Sequence, residues 1–169
     1  MHLNLSIIVA LANDNAIGYQ NRLLCHIPGD LKRFRDLTLW HPVIMGRKTW
    51  ESLPKKPLPG RTNIVLTSQT NFTAEGAEVV HSPQQALAKC PLNTECFVIG
   101  GAEIYRIFLP WVSKLYITRI YQNFEADTFF PDINFDEWEL VAEENYPEDE
   151  TNPIPYAYLT YMRKSPVTR

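Results

Sequence analysis

The stretch LSIIVAL, Leu5–Leu11, is a nearly continuous apolar run that is rich in β-branched residues. An apolar run of this length predicts a strand buried on both faces, as in a mainly parallel sheet. The residues Asn13-Asp14-Asn15 follow it and are of the types that form turns. The start of the chain therefore indicates an α/β fold whose first strand lies inside the sheet.

Helix and strand signals alternate along the rest of the chain. The patterns predict helices at residues 28–37, from 47, at 83–89 and at 102–109, and strands at 42–46, 62–67, 77–80, 96–99 and 114–121. Two longer runs, Trp138–Tyr146 and Tyr156–Arg163, alternate partly and are expected to form an antiparallel pair. The order predicts one doubly wound α/β domain over residues 1–169, with a mainly parallel central sheet of about eight strands, flanking helices and a C-terminal antiparallel hairpin.

Composition excludes several classes of protein. A formal charge of −3 over 169 residues argues against a dedicated nucleic-acid binder, which usually has a basic excess. No apolar run reaches the roughly 20 residues that span a bilayer, and the N-terminus lacks a signal-peptide pattern, so we expect a cytoplasmic protein without a membrane partner. The three cysteines and four scattered histidines show no metal-ligand spacing, and no extra apolar element indicates more than a monomer.

Three loops are suited to phosphate groups. They are Gly100-Gly101 after the strand at 96–99, Gly46-Arg47-Lys48-Thr49 after the strand residues 43–45, and Thr67-Ser68-Gln69 after the strand residues 62–66. Glycines allow close backbone approach, and cations and hydroxyls at a helix start favour an anion. Alone, each is equally compatible with a tight turn, a solvated helix cap or a polar turn. Together they suggest a dinucleotide, which binds where the strands of an open α/β sheet end.

Asp30 is a candidate ligand-binding residue of a different kind, an acid on the apolar side of a helix. It shares a side of its predicted helix with Leu31 and Phe34, so its carboxylate would be partly desolvated and would favour a cationic or donor ligand. The alternative is an exposed first-turn acid that interacts with the helix dipole. Arg35 and Arg61 are candidates for bidentate carboxylate contacts, or for surface ion pairs.

Taken together, the chain resembles dihydrofolate reductase of the single-domain bacterial type. The resemblance covers nearly the whole chain, in order, through the blocks IIVALANDNAIG, IPGDLKRF, PVIMGRKTWESLP, PLPGR, VIGGAEIY and EADTFFPD. It implies NADPH-dependent reduction of 7,8-dihydrofolate to 5,6,7,8-tetrahydrofolate, which supports one-carbon metabolism, and binding of antifolate inhibitors. Hydride would pass to pterin C6 and a proton to N5.

The resemblance also implies substrate-side roles. Asp30 matches the pocket acid that binds the pterin 2-amino group and N3 and promotes N5 protonation, and Thr118 matches the hydroxyl that hydrogen-bonds it. Arg61 matches the arginine that binds the glutamate-tail carboxylate, assisted by Arg35. The remaining implied substrate contacts are Ile8, Cys25, Leu31, Phe34, Ser52, Leu53, Leu58 and Ile99.

Cofactor-side roles follow in the same way. Arg47, Thr67, Ser68 and Gln69 match the group around the adenosine 2′-phosphate, which favours NADPH over NADH. The other implied cofactor contacts are Ala10, Ile17, Lys48, Thr49, Gly100, Gly101, Ala102, Glu103, Ile104 and Tyr105. Residues 13–27 match a mobile lid over the nicotinamide, and Asp127 matches an acid that steadies it.

One departure from the family pattern stands beside the acid. Leu24-Cys25 replaces the usual Pro-Trp, and cysteine is smaller than tryptophan and only a weak donor. Cys25 motivates one alternative, a catalytically weak folate- or nucleotide-binding protein. A second alternative is a reductase of the same fold that acts on a pyrimidine-ribose substrate, although IPGDLKRF and PLPGR argue against it. Cys25 next to His26 is not expected to act as a nucleophilic pair, because chain neighbours rarely reach the geometry needed.

Overall fold

The predicted first strand lies at the centre of the main sheet. In the computed structural model, which describes residues 3–165, Leu5–Leu11 forms β1, and Leu5, Ile7 and Leu11 have no exposed surface. The later strands are β2 (Ala16–Tyr19), β3 (Arg22–Leu23), β4 (Val43–Gly46), β5 (Asn63–Leu66), β6 (Glu78–Val80), β7 (Cys96–Gly100), β8 (Lys114–Ile120), β9 (Thr128–Phe129), β10 (Trp138–Tyr146) and β11 (Tyr156–Arg163).

Eight of these strands form one sheet in the order β10-β11-β8-β1-β7-β4-β5-β6. β1 pairs in parallel with both β7 and β8, and the parallel pairing continues through β4 and β5 to β6. β11 runs antiparallel to β8 and to β10. The predicted mainly parallel sheet with a C-terminal antiparallel hairpin is therefore confirmed.

Helices cover both faces of this sheet. They are α1 (Asp30–Thr38), α2 (Arg47–Ser52), α3 (Pro83–Ala88) and α4 (Ala102–Phe108). Phe34 of α1 and Trp50 of α2 pack in a cluster with Ile8, whereas Phe108 of α4 packs in another cluster with Ile7. Because successive residues of a strand point to opposite faces, the two clusters lie on opposite sides of the sheet.

α1 begins two residues later than the sequence suggests. Gly29 precedes it with φ at +79°, in the left-handed region that an α-helix cannot include, and Pro28 lies before that turn. The other predicted elements match the structure or differ from it by one residue at one or both ends. The carboxylate of Asp30 thus comes from the first residue of the helix.

A second sheet was not predicted from the sequence. It has the order β3-β2-β9, and it joins residues 16–23 to a segment more than 100 positions later in the chain. Gly18 permits the tight pairing of β2 with β3, because a Cβ atom there would lie 3.1 Å from the carbonyl oxygen of Arg22. This small sheet organises the loop at residues 13–27.

Two further kinds of feature are absent from the described residues. Within residues 3–165 no helix has the length and apolar character needed to cross a bilayer. The same part of the chain contains no group of three or more His, Cys, Asp or Glu side chains placed to hold a metal ion. His2 and the terminal residues of the proposed domain, 1–2 and 166–169, lie outside the described part.

Candidate active site

Two adjoining cavities open where β1, β4, β5, β7 and β8 reach their carboxyl ends. The larger has a volume of about 1150 Å³ and the smaller about 230 Å³. They share a wall made of Val9, Ala10, Ile17, Leu23, Thr49, Ile99 and Tyr105. Such a position is where open α/β sheets bind ligands, so the two cavities can hold two ligands in contact.

Asp30 lines the small cavity and is fixed from the sheet. Thr118 of β8, which is 3% exposed, donates its hydroxyl hydrogen to Asp30 Oδ1 at 2.9 Å. Burial raises the pKa of Asp30 above its ordinary value, while the Thr118 hydrogen bond and the charges of Arg33 and His26 act to lower it. The net shift is upward, which indicates a carboxyl group held in a partly desolvated position.

The walls of the small cavity are mostly apolar. Six residues expected there line it: Ile8, Cys25, Leu31, Phe34, Leu53 and Ile99. Leu31 is 67% exposed and therefore lies at the cavity mouth rather than at its base. The cavity offers a flat or apolar ligand one acid and a hydrophobic enclosure, the usual composition of a small-molecule site.

Cys25 lies half-buried in this wall. Burial, and then the negative charge of Asp30, raise the pKa of its thiol. A thiol with a raised pKa is less often ionised and is a weaker nucleophile at neutral pH. Cys25 is therefore a wall residue in this geometry.

Four residues implied for the substrate do not line the small cavity. Arg61 lies beyond it and is immobilised, with Nε donating to the carbonyl oxygen of Pro59 at 2.9 Å and Nη1 donating to Thr38 Oγ1 at 3.1 Å. Burial, followed by the charge of Arg35, lowers the pKa of Arg61. The two guanidinium groups therefore form one cationic region close to the end of α1.

The other two of these residues contact the walls. Leu58 packs in the same apolar cluster as Phe34 and Leu53. Ser52 lines the large cavity instead, and its hydroxyl donates to the carbonyl oxygen of Thr49 at 2.7 Å. Both therefore lie next to the small cavity and not in it.

The large cavity contains nearly all residues implied for the cofactor. Thirteen line it: Ala10, Ile17, Arg47, Lys48, Thr49, Thr67, Ser68, Gly100, Gly101, Ala102, Glu103, Ile104 and Tyr105. Gln69 does not, and its backbone N–H donates to Thr67 Oγ1 at 3.1 Å. Arg47 pairs with Glu51 at 2.6 Å, one helical turn away on α2.

The turn between β7 and α4 brings bare backbone to the edge of the large cavity. The peptide bond between Gly100 and Gly101 is cis, and φ at Gly100 is +121°. A Cβ atom on Gly100 would lie 3.1 Å from Tyr105 Oη, and one on Gly46 would lie 3.0 Å from Ile104 Cγ1. A side chain at either position would crowd these neighbours, and the positive φ at Gly100 itself favours glycine.

Tyr105 connects the turn to the central strand. Its buried hydroxyl donates to the carbonyl oxygen of Ile8 at 2.9 Å, and burial raises the pKa of Tyr105. Because Ile8 and Tyr105 also border the small cavity, this hydrogen bond fixes the shared wall between the two ligand spaces.

Sequence reasoning missed His81 and Arg33. His81 lines the large cavity, and its Nδ1 lies 2.9 Å from the carbonyl oxygen of Thr67. Its position directly after β6 could have indicated this, since β6 neighbours β5 and ends at the same edge. Arg33 lines the small cavity, and its spacing of three residues from Asp30 on a helix was the available signal.

The loop that follows β1 is attached to the segment before β9. Asp127 Oδ2 accepts a hydrogen bond from the Gln20 backbone N–H at 3.0 Å, and the Asp127 N–H donates to the Gly18 carbonyl oxygen at 3.1 Å. The loop carries Leu23, which borders both cavities. Asp127 thus contacts the loop at the position implied for it.

Comparison with known proteins agrees with this arrangement. A family model described as dihydrofolate reductase matches residues 4–163. The chain is 42% identical to dihydrofolate reductase of Bacillus subtilis (strain 168) over 161 residues, covering 95% of each chain. It is 41% identical to the Staphylococcus aureus enzyme over 162 residues, covering 96% of this chain and 99% of that one.

A solved structure gives the same result in three dimensions. The structure of Enterococcus faecalis dihydrofolate reductase complexed with NADP(H) and RAB-propyl matches with a TM-score of 0.86 at 38% identity, covering 98% of this chain and 100% of that one. The chain belongs to the dihydrofolate reductase family.

Proposed function

We propose that the chain reduces 7,8-dihydrofolate to 5,6,7,8-tetrahydrofolate with NADPH, a reaction that supplies one-carbon metabolism. The observation that carries the proposal is the contact between two unlike cavities in a member of this family. One contains an acid in an apolar enclosure, and the other contains cations, hydroxyls and bare glycine backbone. Their shared wall would bring the reacting faces of two ligands together.

The large cavity fits NADPH by its chemistry and size. Its volume of about 1150 Å³ exceeds the roughly 300–1,000 Å³ typical of sites for drug-sized ligands. Arg47, Thr67 and Ser68 offer donors for a 2′-phosphate, with His81 beside them. When bound, NADPH supplies the hydride that the substrate accepts at pterin C6.

The same cavity offers the remaining implied cofactor contacts. Lys48 and Thr49 line it and would bind the pyrophosphate through charge-assisted hydrogen bonds. The glycine turn at Gly100-Gly101 leaves room for close approach of the ligand to backbone. Ala10 and Ile17, on the shared wall, would enclose the nicotinamide and exclude water from the reacting atoms.

Asp30 would carry the chemistry on the substrate side. Its carboxylate accepts hydrogen bonds from the pterin 2-amino group and N3, which offsets the cost of its desolvation. Thr118 orients the carboxylate through the bond to Oδ1. The negative charge next to the pterin stabilises the ring when a proton from solvent adds at N5, and protonation makes C6 electrophilic.

The glutamate tail would leave the small cavity past Leu58 toward Arg61 and Arg35. The guanidinium of Arg61 is already held by Pro59 and Thr38, so little side-chain freedom is lost when it binds a carboxylate. A cationic region suited to the glutamate tail is expected for a folate substrate and not for a pyrimidine-ribose substrate. It therefore supports dihydrofolate over that alternative.

The deciding experiment is a steady-state assay with dihydrofolate and NADPH. We expect NADPH oxidation that depends on dihydrofolate and yields tetrahydrofolate. Binding of both ligands without turnover would support the alternative of a catalytically weak binding protein. Turnover of a pyrimidine-ribose substrate in place of dihydrofolate would support the alternative of a reductase with that substrate. The proposal also includes a monomeric, cytoplasmic protein that binds antifolate inhibitors. Light scattering at increasing protein concentration tests whether the protein is a monomer.

A further inference from the structure

The small cavity has a second charged residue besides Asp30. Among the described residues that line it, Arg33 provides the only other formal charge, and it lies one helical turn after Asp30 on α1. A cation inside a cavity built for a donor-rich ligand is unexpected, because it repels protonated ligands. The presence of Arg33 in this cavity therefore needs a physical explanation.

Arg33 is held by an aromatic ring rather than by a carboxylate. Its guanidinium carbon lies 4.2 Å from the centroid of the Tyr158 ring, and Tyr158 is only 9% exposed. Within residues 3–165, Arg33 makes no ion pair with a carboxylate at 4.0 Å or less. A cation seated on a buried ring is stabilised without neutralising a nearby acid.

The register of the sheet couples this contact to the one made by Asp30. In the antiparallel pair of β8 and β11, Tyr158 lies directly opposite Thr118. Such partners are adjacent on one face of the sheet. Thr118 holds Asp30 and Tyr158 holds Arg33, so two neighbouring strand positions fix two residues of α1 that are one turn apart.

We propose that Arg33 is a positioning residue that keeps Asp30 ionised, with Tyr158 as the platform that holds the Arg33 guanidinium in place. This inference deepens the proposed function of the small cavity. A direct ion pair would occupy the carboxylate oxygens that a ligand needs. A cation kept on the Tyr158 ring acts through its field and leaves those oxygens available.

The directions of the pKa shifts agree with this arrangement. The charge of Arg33 opposes the burial that raises the pKa of Asp30, and it also opposes the upward shift of the Tyr158 pKa. Three other titratable groups face Asp30 from neighbouring elements. They are His26 and Cys25 in the preceding loop and Tyr156 on β11.

These three groups cannot replace Arg33. His26 is exposed, so water and salt screen its charge. The pKa values of Cys25 and Tyr156 are both raised, by burial first and also by the charge of Asp30, which favours their neutral forms. Arg33 thus provides the permanent positive charge on this side of the acid.

The test is a carboxyl-carbon NMR titration of the ligand-free protein, with the Asp30 signal assigned from its loss in Asp30→Asn. Arg33→Met should move the Asp30 midpoint to higher pH, and Arg33→Lys should restore much of the original midpoint. Lys32→Met is the matched control, because Lys32 is the adjacent cation of α1 and pairs with Asp36 at 2.7 Å on the exposed face. It should leave the midpoint unchanged.

Two further variants separate the ring from its hydroxyl. Tyr158→Phe keeps the platform and should preserve the midpoint, whereas Tyr158→Leu should shift it in the same direction as Arg33→Met. In the enzyme, the pH profile of kcat/KM should move in parallel with the titration. An Asp30 midpoint that is the same in Arg33→Met, Lys32→Met and the parent protein overturns the inference. Because the titration needs no substrate or turnover, this failure is distinct from failure of the proposed function.

Discussion

The two cavities are suited to ligands of opposite chemistry. The small one has apolar walls and an acid that burial keeps partly desolvated, while the large one has cations and hydroxyls near solvent. Desolvation strengthens each hydrogen bond made in the small cavity, and exposure makes each contact in the large cavity weaker and more sensitive to salt. Binding in the small cavity would depend mainly on one carboxylate, whereas binding in the large cavity would depend on many weaker contacts.

This difference predicts how mutations should act. Removing the acid leaves the small cavity with no comparable acceptor, so the loss should be large and specific. Removing one cation from the large cavity leaves several donors in place, so the loss should be modest.

Asp30→Asn should reduce kcat/KM for dihydrofolate at neutral pH by roughly 10²–10⁴-fold, the usual contribution of a positioned acid–base group. Activity should recover partly in acid, because solvent then protonates N5 without help from the carboxylate. Steady-state rates from pH 5 to 8 check this, with NADPH affinity as the control for folding. Unchanged activity at neutral pH would remove Asp30 from the mechanism.

Arg61→Leu should weaken dihydrofolate binding by roughly 10–100-fold, the value of a lost charge-assisted hydrogen bond of about 1.5–3 kcal/mol. Thr38 keeps a partner in this variant, because its hydroxyl donates to the Phe34 carbonyl oxygen at 2.8 Å. Binding of NADPH should stay close to that of the parent. A parallel loss of both affinities would show that the substitution disturbs the fold rather than the tail contact.

Arg47→Met should weaken NADPH binding by roughly tenfold and leave NADH binding nearly unchanged, because only NADPH carries the 2′-phosphate that the cation favours. The difference should shrink as salt is added. Glu51→Gln is the matched control, since it breaks the same ion pair without removing the cation. Equal losses for the two cofactors would argue against 2′-phosphate recognition by Arg47.

Thr118→Val should lower kcat/KM by roughly 2–10-fold at neutral pH, because a hydrogen bond is worth about 0.5–1.5 kcal/mol. The Thr118 hydrogen bond lowers the pKa of Asp30, so its loss should move the acid limb of the pH profile to higher pH. Thr118→Ser is the control that restores the hydroxyl. A profile identical to that of the parent would mean that Thr118 does not set the ionisation of Asp30.

The smallest effect should be on stability, and its sign is informative. A carboxyl group whose pKa is raised on folding binds its proton more tightly in the folded state. It therefore destabilises the protein as pH rises from the ordinary aspartate pKa through the raised pKa of the folded state. Asp30→Asn should therefore melt at a slightly higher temperature than the parent at neutral pH. The difference should vanish below the ordinary aspartate pKa. A lower melting temperature at pH 7 would mean that the carboxylate is not under strain from burial.

The sequence predicts the long elements better than the short ones. β1 and the β10–β11 hairpin were found because each has a local pattern of several residues. β3 and β9 have two residues each, and they exist only because β2 lies between them in space. No local pattern specifies the pairing of β2 with β9, which lie more than 100 positions apart in the chain.

The candidate site shows the same limit. Asp30 could be selected because helical spacing placed it with apolar side chains, and Thr118 was reached only through the family resemblance. Tyr158 could not be related to the site from sequence, because its role depends on the β8–β11 register that places it opposite Thr118. Gln69 was expected near the 2′-phosphate from its loop after a strand and from the family resemblance, but it does not line the large cavity.

The pairing of β1 has a consequence for synthesis of the chain. Leu5 pairs with Cys96 and Ser6 pairs with Lys114, so both neighbours of this strand are made roughly 90 to 110 residues after it. At about 5–20 residues per second, the ribosome takes on the order of 5–20 s to produce them. The most apolar strand of the fold is therefore translated first, and its backbone lacks one of its two partner strands until β8 is made.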